Sequence, residues 1–351
     1  MRIAFFGSSL VSAYWNGAAT YYRGIVRALH ERGHEVTFFE PDAFERQANR
    51  DMDDPAWARM VVYDPPRWEE AVERAAGADV VAKASGVGVC DQELEAAVLE
   101  VGAPVAVFWD VDAPATLARL EADPDDPLRA LVPRYDLVLT YGGGDPVVER
   151  YRALGAHDCV PVYNALDPET HHPVPPDPRF ACDLAFVGNR LPDREARVEE
   201  FFLRAAELAP ERSFLLAGAG WDDRPLPPNV RFIGHVSTNE HNALNSTPLG
   251  VLNVSRDSMA ANGWSPPTRI FEAAGAAACV ITDAWEGIEL FLEPGREVLV
   301  AETGEAVGDL LEGLSRSQAR NVGAAARERV LREHTYAHRA AQVDEILGVR
   351  V

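Results

Sequence analysis

The segment SPPTRIFEAAGAAACVITDAWEGIELFLEPGREVLV, residues 265–300, carries the clearest structural signal in the chain. Proline suits the first turn of a helix, where its missing N–H costs nothing, so we expect a helix opening at Ser265. Small residues follow it, and the run Cys279–Thr282 is typical of a buried parallel strand. A polar loop begins at Asp283, at the carboxyl end where open α/β sheets bind ligands. The alternative is an ordinary βα unit without a ligand.

Arg269 and Glu272 lie three positions apart, which places both on one face of that helix. The order of this Arg and Phe-Glu, small residues, an apolar strand, Thr-Asp and a final Glu-Val-Leu-Val resembles the donor half of GT-B glycosyltransferases. The resemblance is to the family-4-like enzymes, and among them to the CgeB-like spore-protein branch. It implies a nucleotide-sugar donor whose ribose is held by Glu272. Trp264 stands where many family-4-like enzymes carry a second glutamate, which contacts the sugar.

The resemblance also implies an α/β architecture of two Rossmann-like domains that face each other across a cleft. A length of 351 residues suits two domains of roughly 150 residues each. The proline-rich run 173–178 predicts the linker. We therefore expect an acceptor-side domain over residues 1–170, a donor domain over 171–333, and a last helix over 334–351 that packs back on the first domain.

Charge and composition exclude several classes of partner. The chain has 33 basic and 55 acidic residues and a net charge of −22, which would repel nucleic acid and anionic membrane surfaces. No run reaches the roughly 18 apolar residues of a membrane span, so we expect a cytoplasmic protein without stable membrane insertion. The four cysteines are widely spaced and favour buried free thiols over metal ligands or disulfides. Lys83 is the single lysine among many arginines, which suggests a bacterial source.

The chain opens with a predicted strand over residues 2–6, a helix and a second strand, and the polar and aromatic stretch 42–66 that follows them shows little periodicity. The loop GSSLVSAYWNG between the first two lacks the G-x-G-x-x-G spacing that approaches a pyrophosphate, so a nicotinamide or flavin enzyme is disfavoured. Under the resemblance, Asn16-Gly17-Ala18 matches the glycine-rich loop that faces the acceptor and the donor phosphates, and Gly17 is a binding candidate. A plain βα turn is the alternative.

Asp110 and Asp112 follow a predicted strand in the segment WDVDAP. Side chains two apart on a strand share a face, so both carboxylates can point the same way. Either could act as a general base or orient an acceptor hydroxyl, and Asp112 is slightly favoured. The alternative for Asp112 is an N-cap of the helix that follows. The W-x-x-D-x-P pattern of this segment also occurs in the CgeB-like branch, without a role for either aspartate.

Further donor-site candidates lie in the second half. The resemblance assigns Gly188, Asn189, Arg190 and Arg194 to the donor diphosphate, since arginines at a helix start bind phosphate well. The alternative is that Arg194 and Arg197 pair with Glu195, Glu199 and Glu200 on a solvated face, and Arg197 is assigned to that structural role. The resemblance also assigns the main chain at His235 to the base, and a short helix is predicted after it over residues 241–246. The remaining candidates line the sugar and phosphate site. They are Asn262, Gly263 and Trp264, in a predicted loop over residues 260–264, and Ser265, with Arg269 beside the diphosphate.

The adjacent residues His171 and His172 favour a hinge, because sequence neighbours rarely chelate one metal and no third ligand is evident.

The sequence thus predicts a metal-independent glycosyltransferase that uses a UDP-, GDP- or dTDP-sugar and no further cofactor. Its expected partners are this donor and a hydroxylated acceptor, which is a small molecule, a glycan or a protein, with a homodimer left open. Two alternatives share the fold: a nucleotide-sugar epimerase and a non-catalytic nucleotide-sugar-binding scaffold protein.

Overall fold

The computed structural model describes residues 1–348 and 350. The chain divides into two compact units, the first made of residues 1–164 with 336–351 and the second of residues 165–335. We call them the first and the second domain. The sequence expectation set the corresponding boundaries after residues 170 and 333.

The first domain contains a seven-stranded parallel sheet in the order β3-β2-β1-β4-β5-β6-β7. Its strands are β1 (Arg2–Phe6), β2 (Glu35–Pro41), β3 (Arg59–Tyr63), β4 (Val80–Ala84), β5 (Val105–Asp110), β6 (Leu137–Thr140) and β7 (Cys159–Pro161). The central strands are buried on both faces, as the near-continuous apolar runs of parallel strands require.

Helices cover this sheet and complete the core. They are α1 (Ala19–Glu31), α2 (Trp68–Glu73), α3 (Asp91–Ala97), α4 (Ala113–Ala122), α5 (Pro127–Leu131) and α6 (Gly144–Ala153). The last helix of the chain, α14 (Tyr336–Gly348), belongs to this domain and packs on α1. Arg32 and His34, at the end of α1, both contact the carboxylate of Asp344 on α14.

The contact between α1 and α14 depends on a missing side chain. A Cβ placed on Gly24 would lie 2.2 Å from the ring of Tyr336. We therefore expect Gly24→Ala to lower the free energy of unfolding by about 1–3 kcal/mol, because overpacking forces the ring to move. Urea unfolding checks this value. The matched control is Gly308→Ala, where nothing lies within 4 Å and the helix should be unchanged or slightly stabilised.

The second domain contains a six-stranded parallel sheet in the order β10-β9-β8-β11-β12-β13. Its strands are β8 (Leu184–Val187), β9 (Phe214–Ala217), β10 (Val230–Phe232), β11 (Gly250–Asn253), β12 (Val280–Asp283) and β13 (Leu299–Ala301). Its α-helices are α7 (Glu195–Val198), α8 (Arg204–Leu208), α9 (His241–Ser246), α10 (Asp257–Asn262), α11 (Thr268–Gly275), α12 (Gly304–Gly313) and α13 (Arg316–Glu333). A π-helical segment, Glu199–Leu203, joins α7 to α8.

Three local expectations are corrected by the structure. Helix α11 begins at Thr268 rather than Ser265, because Ser265 and Pro266 each precede a proline and so avoid the helical region, and Pro267 is itself extended. Asn262 ends helix α10 instead of lying in a loop. The stretch 42–66, expected to be irregular, contains the edge strand β3.

All four cysteines are free thiols, but the prediction that they are buried holds for two of them only. Cys159 and Cys279 are buried, whereas Cys90 and Cys182 are partly exposed. Among the described residues, no helix combines the length and the apolar character that a membrane crossing needs.

Candidate functional site

The candidate donor site lies at the carboxyl ends of β8 and β11 in the second domain. These strands are neighbours, and the chain order reverses between them, which is where open α/β sheets bind ligands. One side-chain contact joins the two loops that follow them. Arg256 Nε, after β11, donates to Asp193 Oδ2, after β8, at 2.6 Å. The two loops therefore form one connected surface.

The loop after β8 is held close to the loop after β9. Asn189 Oδ1 accepts from the amide of Ala219 at 3.0 Å, so this candidate side chain fixes the loop. A Cβ on Gly218 would lie 2.2 Å from the carbonyl oxygen of Gly188, and Gly218 has a φ of +125°. Only glycine fits there. The expected phosphate loop at Gly188 and Asn189 is thus a rigid backbone turn.

Arg190, a predicted phosphate ligand, is already neutralised. Its Nη2 donates to Glu195 at 2.6 Å, and its Nη1 donates to Asp223 at 2.8 Å. Both partners are carboxylates. The guanidinium therefore ties the β8 loop to its surroundings and has little charge left for an anion.

The surroundings of Arg194 are apolar and positively charged, unlike those of Arg190. Its guanidinium lies over the ring of Phe186, and its Nε is buried without a hydrogen-bond partner among the described residues. Burial, followed by the positive charges of Arg269 and Arg256, lowers the pKa of Arg194 to about 10, although Asp193 opposes this. Like charges gathered around a desolvated arginine leave a site that an anion would stabilise.

Glu272, on α11, lies among three basic side chains. Its Oε2 is 3.3 Å from Arg269 Nη1, and its Oε1 is 3.9 Å from His171 Nε2. Glu272 and His171 are buried, with 8% and 4% of their surfaces exposed. Burial alone would raise the pKa of Glu272, but Arg269, His171 and His241 together hold that pKa below its ordinary value. The carboxylate is therefore ionised at neutral pH.

His171, His241 and Glu272 are also the only group in the described chain whose ligand atoms are close enough for a metal ion, all within 4.8 Å. Sequence reasoning found no third ligand for His171 because His241 and Glu272 are distant in the sequence. His172 is exposed and does not take part. The guanidinium of Arg269 lies beside the carboxylate and opposes a second cation there.

The segment before α11 places the other donor candidates. Trp264 has a φ of +41°, and its amide donates to the Glu286 carbonyl at 2.6 Å. A Cβ on Gly287 would lie 2.2 Å from the Trp264 ring, so the indole packs on that glycine. Ser265 is buried, and its Oγ donates to the Gly263 carbonyl at 2.9 Å.

Asn262 turns its amide back to the Ser258 carbonyl, at 2.7 Å. His235 is exposed. Sequence reasoning missed Arg197 as a partner of Asp283. Arg197 Nη2 donates to the buried Asp283 carboxylate at 2.6 Å, at the end of β12, instead of pairing along its own helix.

In the first domain, Gly17 is exposed in the loop after β1. Asp110 is fully buried. Its carboxylate accepts from the hydroxyls of Ser85 and Thr116, at 2.6 and 2.9 Å, and from the Tyr151 hydroxyl. Burial raises the pKa of Asp110, although these hydrogen bonds act against the rise. A carboxylate with this many donors holds its loop in place.

Asp112 lies at the N-cap position of α4 and is partly exposed. Its side chain does not cap the helix, so the N-cap alternative loses its main support. The amide of Asp112 donates to Asp110 Oδ1 at 3.0 Å. The buried aspartate therefore positions the more exposed one.

The two aspartates should respond differently to mutation. Asp110→Asn introduces an NH₂ among groups that already donate, and we expect a loss of about 3 kcal/mol in the free energy of unfolding. Asp112→Asn should cost less, about 1 kcal/mol or below, because the side chain is partly exposed. Thermal unfolding of both variants checks the difference. Equal losses would contradict the buried network.

Comparisons with known proteins agree with this architecture. Residues 194–345 match the family model described as "Glycosyl transferase-like". Sucrose-phosphate synthase from Thermosynechococcus elongatus is similar in structure, with a TM-score of 0.74, 14% identity, and coverage of 99% of this chain and 98% of that one. Anabaena HepE, solved with UDP and glucose, has a TM-score of 0.67 and 13% identity, over 99% of this chain and 100% of its own. AviGT4, a glycosyltransferase involved in avilamycin A biosynthesis, has a TM-score of 0.61 and 18% identity, with coverage of 98% of this chain and 96% of its own.

The fold is the GT-B fold. With the family match, this confirms the class predicted from the sequence, a glycosyltransferase of the GT-B type. The comparison with curated proteins found no match. The likeness to solved structures lies below 20% identity, so it extends to the fold and not to individual residues.

Proposed function

We propose that the protein transfers a sugar from a nucleotide-diphosphate sugar to a hydroxyl acceptor, and that the second domain binds the donor. The proposal rests on two kinds of binding group in the second domain, arginines that can bind an anion and a carboxylate that can bind hydroxyl groups. Arg194 and Arg269 offer buried N–H groups that make no hydrogen bond within the described part of the chain, and Glu272 is a buried, ionised carboxylate next to Arg269. A diphosphate needs N–H donors such as those of the arginines, and the hydroxyl groups of a ribose need an acceptor such as the Glu272 carboxylate.

The donor diphosphate binds to Arg194 and Arg269, not to Arg190. Charge builds up on the leaving diphosphate in the transition state, and fixed guanidinium groups stabilise that charge without rearrangement. Gly188, Asn189 and the segment Asn262–Ser265 supply backbone around the phosphates and the sugar. Arginines in this role make a divalent cation unnecessary, so we propose a metal-independent reaction.

UDP is the first candidate for the nucleotide, because HepE, which has a similar fold, was solved with UDP and glucose. The base binds along the main chain at His235. Trp264, which stands where many family-4-like enzymes have a glutamate, offers an indole face to the sugar in place of a carboxylate. The CgeB-like branch remains our finer proposal for the subfamily, and a cytoplasmic location stays a prediction.

The acceptor binds to the first domain. Its loops after β1 and β2 expose the large apolar side chains Tyr14, Trp15 and Phe44, next to Gly17. Arg23 joins these loops by ion-pairing with Asp51 and donating to the Leu10 carbonyl at 2.7 Å. We propose that these rings contact the acceptor and that Asp112 takes the proton from its hydroxyl, with Asp110 as the positioning residue.

The test is release of nucleoside diphosphate from a panel of UDP-, GDP- and dTDP-sugars, with and without EDTA. We expect slow release from one donor, because water replaces a missing acceptor, and no loss of that rate with EDTA. Binding of a nucleotide-sugar with no release of diphosphate would favour a scaffold protein instead. Conversion of the sugar without release would favour an epimerase.

A further inference from the structure

The ribose-binding carboxylate has two neighbouring nitrogens that lack hydrogen-bond partners. Arg269 Nη1 and His171 Nε2 are both buried, and neither has a partner among the residues that the structure describes. Arg269 Nη1 lies 3.3 Å from Glu272 Oε2, and His171 Nε2 lies 3.9 Å from Glu272 Oε1. Each oxygen of the carboxylate is therefore paired with one unsatisfied nitrogen. Buried polar groups are rarely left this way, which indicates a missing ligand.

The spacing fits hydroxyl groups. A hydroxyl both donates and accepts, so it can donate to a carboxylate oxygen while it accepts from the neighbouring N–H. Two atoms 3.9 Å apart, as at His171 and Glu272, are close enough for one hydroxyl to reach both. A second hydroxyl on the same ligand can bind at Oε2 and Arg269 in the same manner. The pattern matches a pair of adjacent hydroxyls.

The fold builds this arrangement around α11. Gly275 is three residues after Glu272, so both lie on the same side of the helix. A Cβ on Gly275 would lie 2.9 Å from the carbonyl oxygen of His171 and 2.4 Å from the Leu166 side chain. The missing side chain allows the segment that carries His171 to approach the helix. The amide of His171 donates to the Asp167 carbonyl at 2.9 Å and fixes that segment.

His241 connects the same carboxylate to the base-binding segment. It hydrogen-bonds to the backbone of Val236, the residue after His235, and burial lowers its pKa to about 4, so its ring is neutral. His241 and Arg269 are partly exposed, so the cluster reaches the surface of the domain.

We infer that His171 is a specificity-determining residue which, with Glu272 and Arg269, selects nucleotides that carry both ribose hydroxyls over 2′-deoxy nucleotides. The inference rests on the proposed function. It removes dTDP-sugars from the candidate donors and leaves UDP- and GDP-sugars. A 2′-deoxyribose would leave one nitrogen and one carboxylate oxygen without a partner, which is the arrangement that discriminates most strongly against a ligand lacking a hydroxyl.

The test is isothermal titration of the full-length protein with UDP and GDP, followed by the 2′-deoxy and 3′-deoxy forms of the tighter binder. We expect each deoxy form to bind about ten- to a hundredfold more weakly than the parent nucleotide. His171→Ala should weaken the parent about three- to tenfold and leave one deoxy form unaffected. The matched control is His172→Ala, which removes the exposed neighbouring imidazole and should change no affinity.

Equal affinity of the wild type for the parent and both deoxy forms would overturn the inference, whether or not the variants fold. A His171→Ala variant whose affinity falls by the same factor for the parent and for both deoxy forms would also overturn it, because His171 would then have only a structural role. Zn²⁺ binding that needs His171 and leaves nucleotide affinity unchanged would overturn it too. Failure of every nucleotide to bind would refute the proposed function itself, which is a distinguishable result.

Discussion

Glu272→Gln is expected to weaken binding of the donor nucleotide by about 2–4 kcal/mol, a change in Kd of roughly thirty- to a thousandfold. In the proposed site the carboxylate accepts hydrogen bonds from ribose, and Arg269 and His171 favour its charged form. An amide of the same shape offers one acceptor and brings an NH₂ toward a neighbouring N–H. Isothermal titration with UDP measures the loss.

The control for this variant is its own thermal unfolding, because the site is buried and the substitution also acts on the stability of the fold. A folded Glu272→Gln protein with unchanged nucleotide affinity would contradict the ribose assignment. Glu297→Gln offers a comparison at another buried glutamate, which accepts from the Glu293 amide at 2.9 Å, and should leave nucleotide affinity unchanged.

The pKa of Glu272 also gives this interaction a pH dependence with a definite sign. Because the folded-state pKa lies below the ordinary value of 4.5, the ionised form contributes stability that is fully present above pH 4.5. That contribution is lost as the pH falls through the folded-state pKa. Nucleotide binding should therefore keep its Glu272-dependent part down to about pH 4.5 and lose it below.

Arg194→Gln is expected to lower kcat about a hundred- to a thousandfold with a smaller change in KM. A buried guanidinium that meets the leaving diphosphate stabilises charge that develops in the transition state, and loss of one such group typically costs about 3–4 kcal/mol. Initial rates with the active donor measure the effect.

Arg190→Gln is the matched comparison, four positions earlier in the same loop. Its charge is already taken by Glu195 and Asp223, so kcat should fall less than about fivefold, through loosening of the loop. A larger loss for Arg190→Gln than for Arg194→Gln would show that the diphosphate displaces those carboxylates, and would contradict our assignment.

Much of the fold follows from local signals that tertiary contacts do not override. The first strand was predicted over residues 2–6 and lies there, and helix α9 has the predicted bounds of His241–Ser246. Strand β3 was missed because it is an edge strand with alternating exposure, and its RMVVY run follows a long polar segment. Edge strands carry a weaker apolar signal than the buried strands beside them.

The site was less predictable than the fold, because its contacts join residues far apart in the sequence. Position within a motif pointed to Arg190 and Arg194 equally, whereas their different environments come from Glu195, Asp223 and Arg269. A lone histidine in a helix such as α9 gives no sequence signal. His241 became visible only because α9 and α11 pack against each other.

Asp110 and Asp112 illustrate the same limit within one strand end. Alternation placed both aspartates on the same face, but the strand β5 ends at Asp110 and the backbone turns there. One carboxylate therefore lies inside the domain with hydroxyl partners, and the other lies at its surface. Periodicity applies only as far as the strand continues.

The central claim is that the second domain binds a nucleoside diphosphate through Glu272 and Arg194. Thermal unfolding with UDP, GDP and dTDP, on the wild type and on Glu272→Gln and Arg194→Gln, tests it most directly. A ligand at a hundred times its Kd adds about 2.7 kcal/mol to a protein that binds it only when folded. We expect UDP or GDP to stabilise the wild type by this amount, and dTDP at equal concentration to add only about 0.4–1.4 kcal/mol, because a deoxy nucleotide should bind ten- to a hundredfold more weakly. The shift should be reduced in both variants. No stabilisation by any of the three nucleotides, or an equal shift in all three proteins, would contradict it.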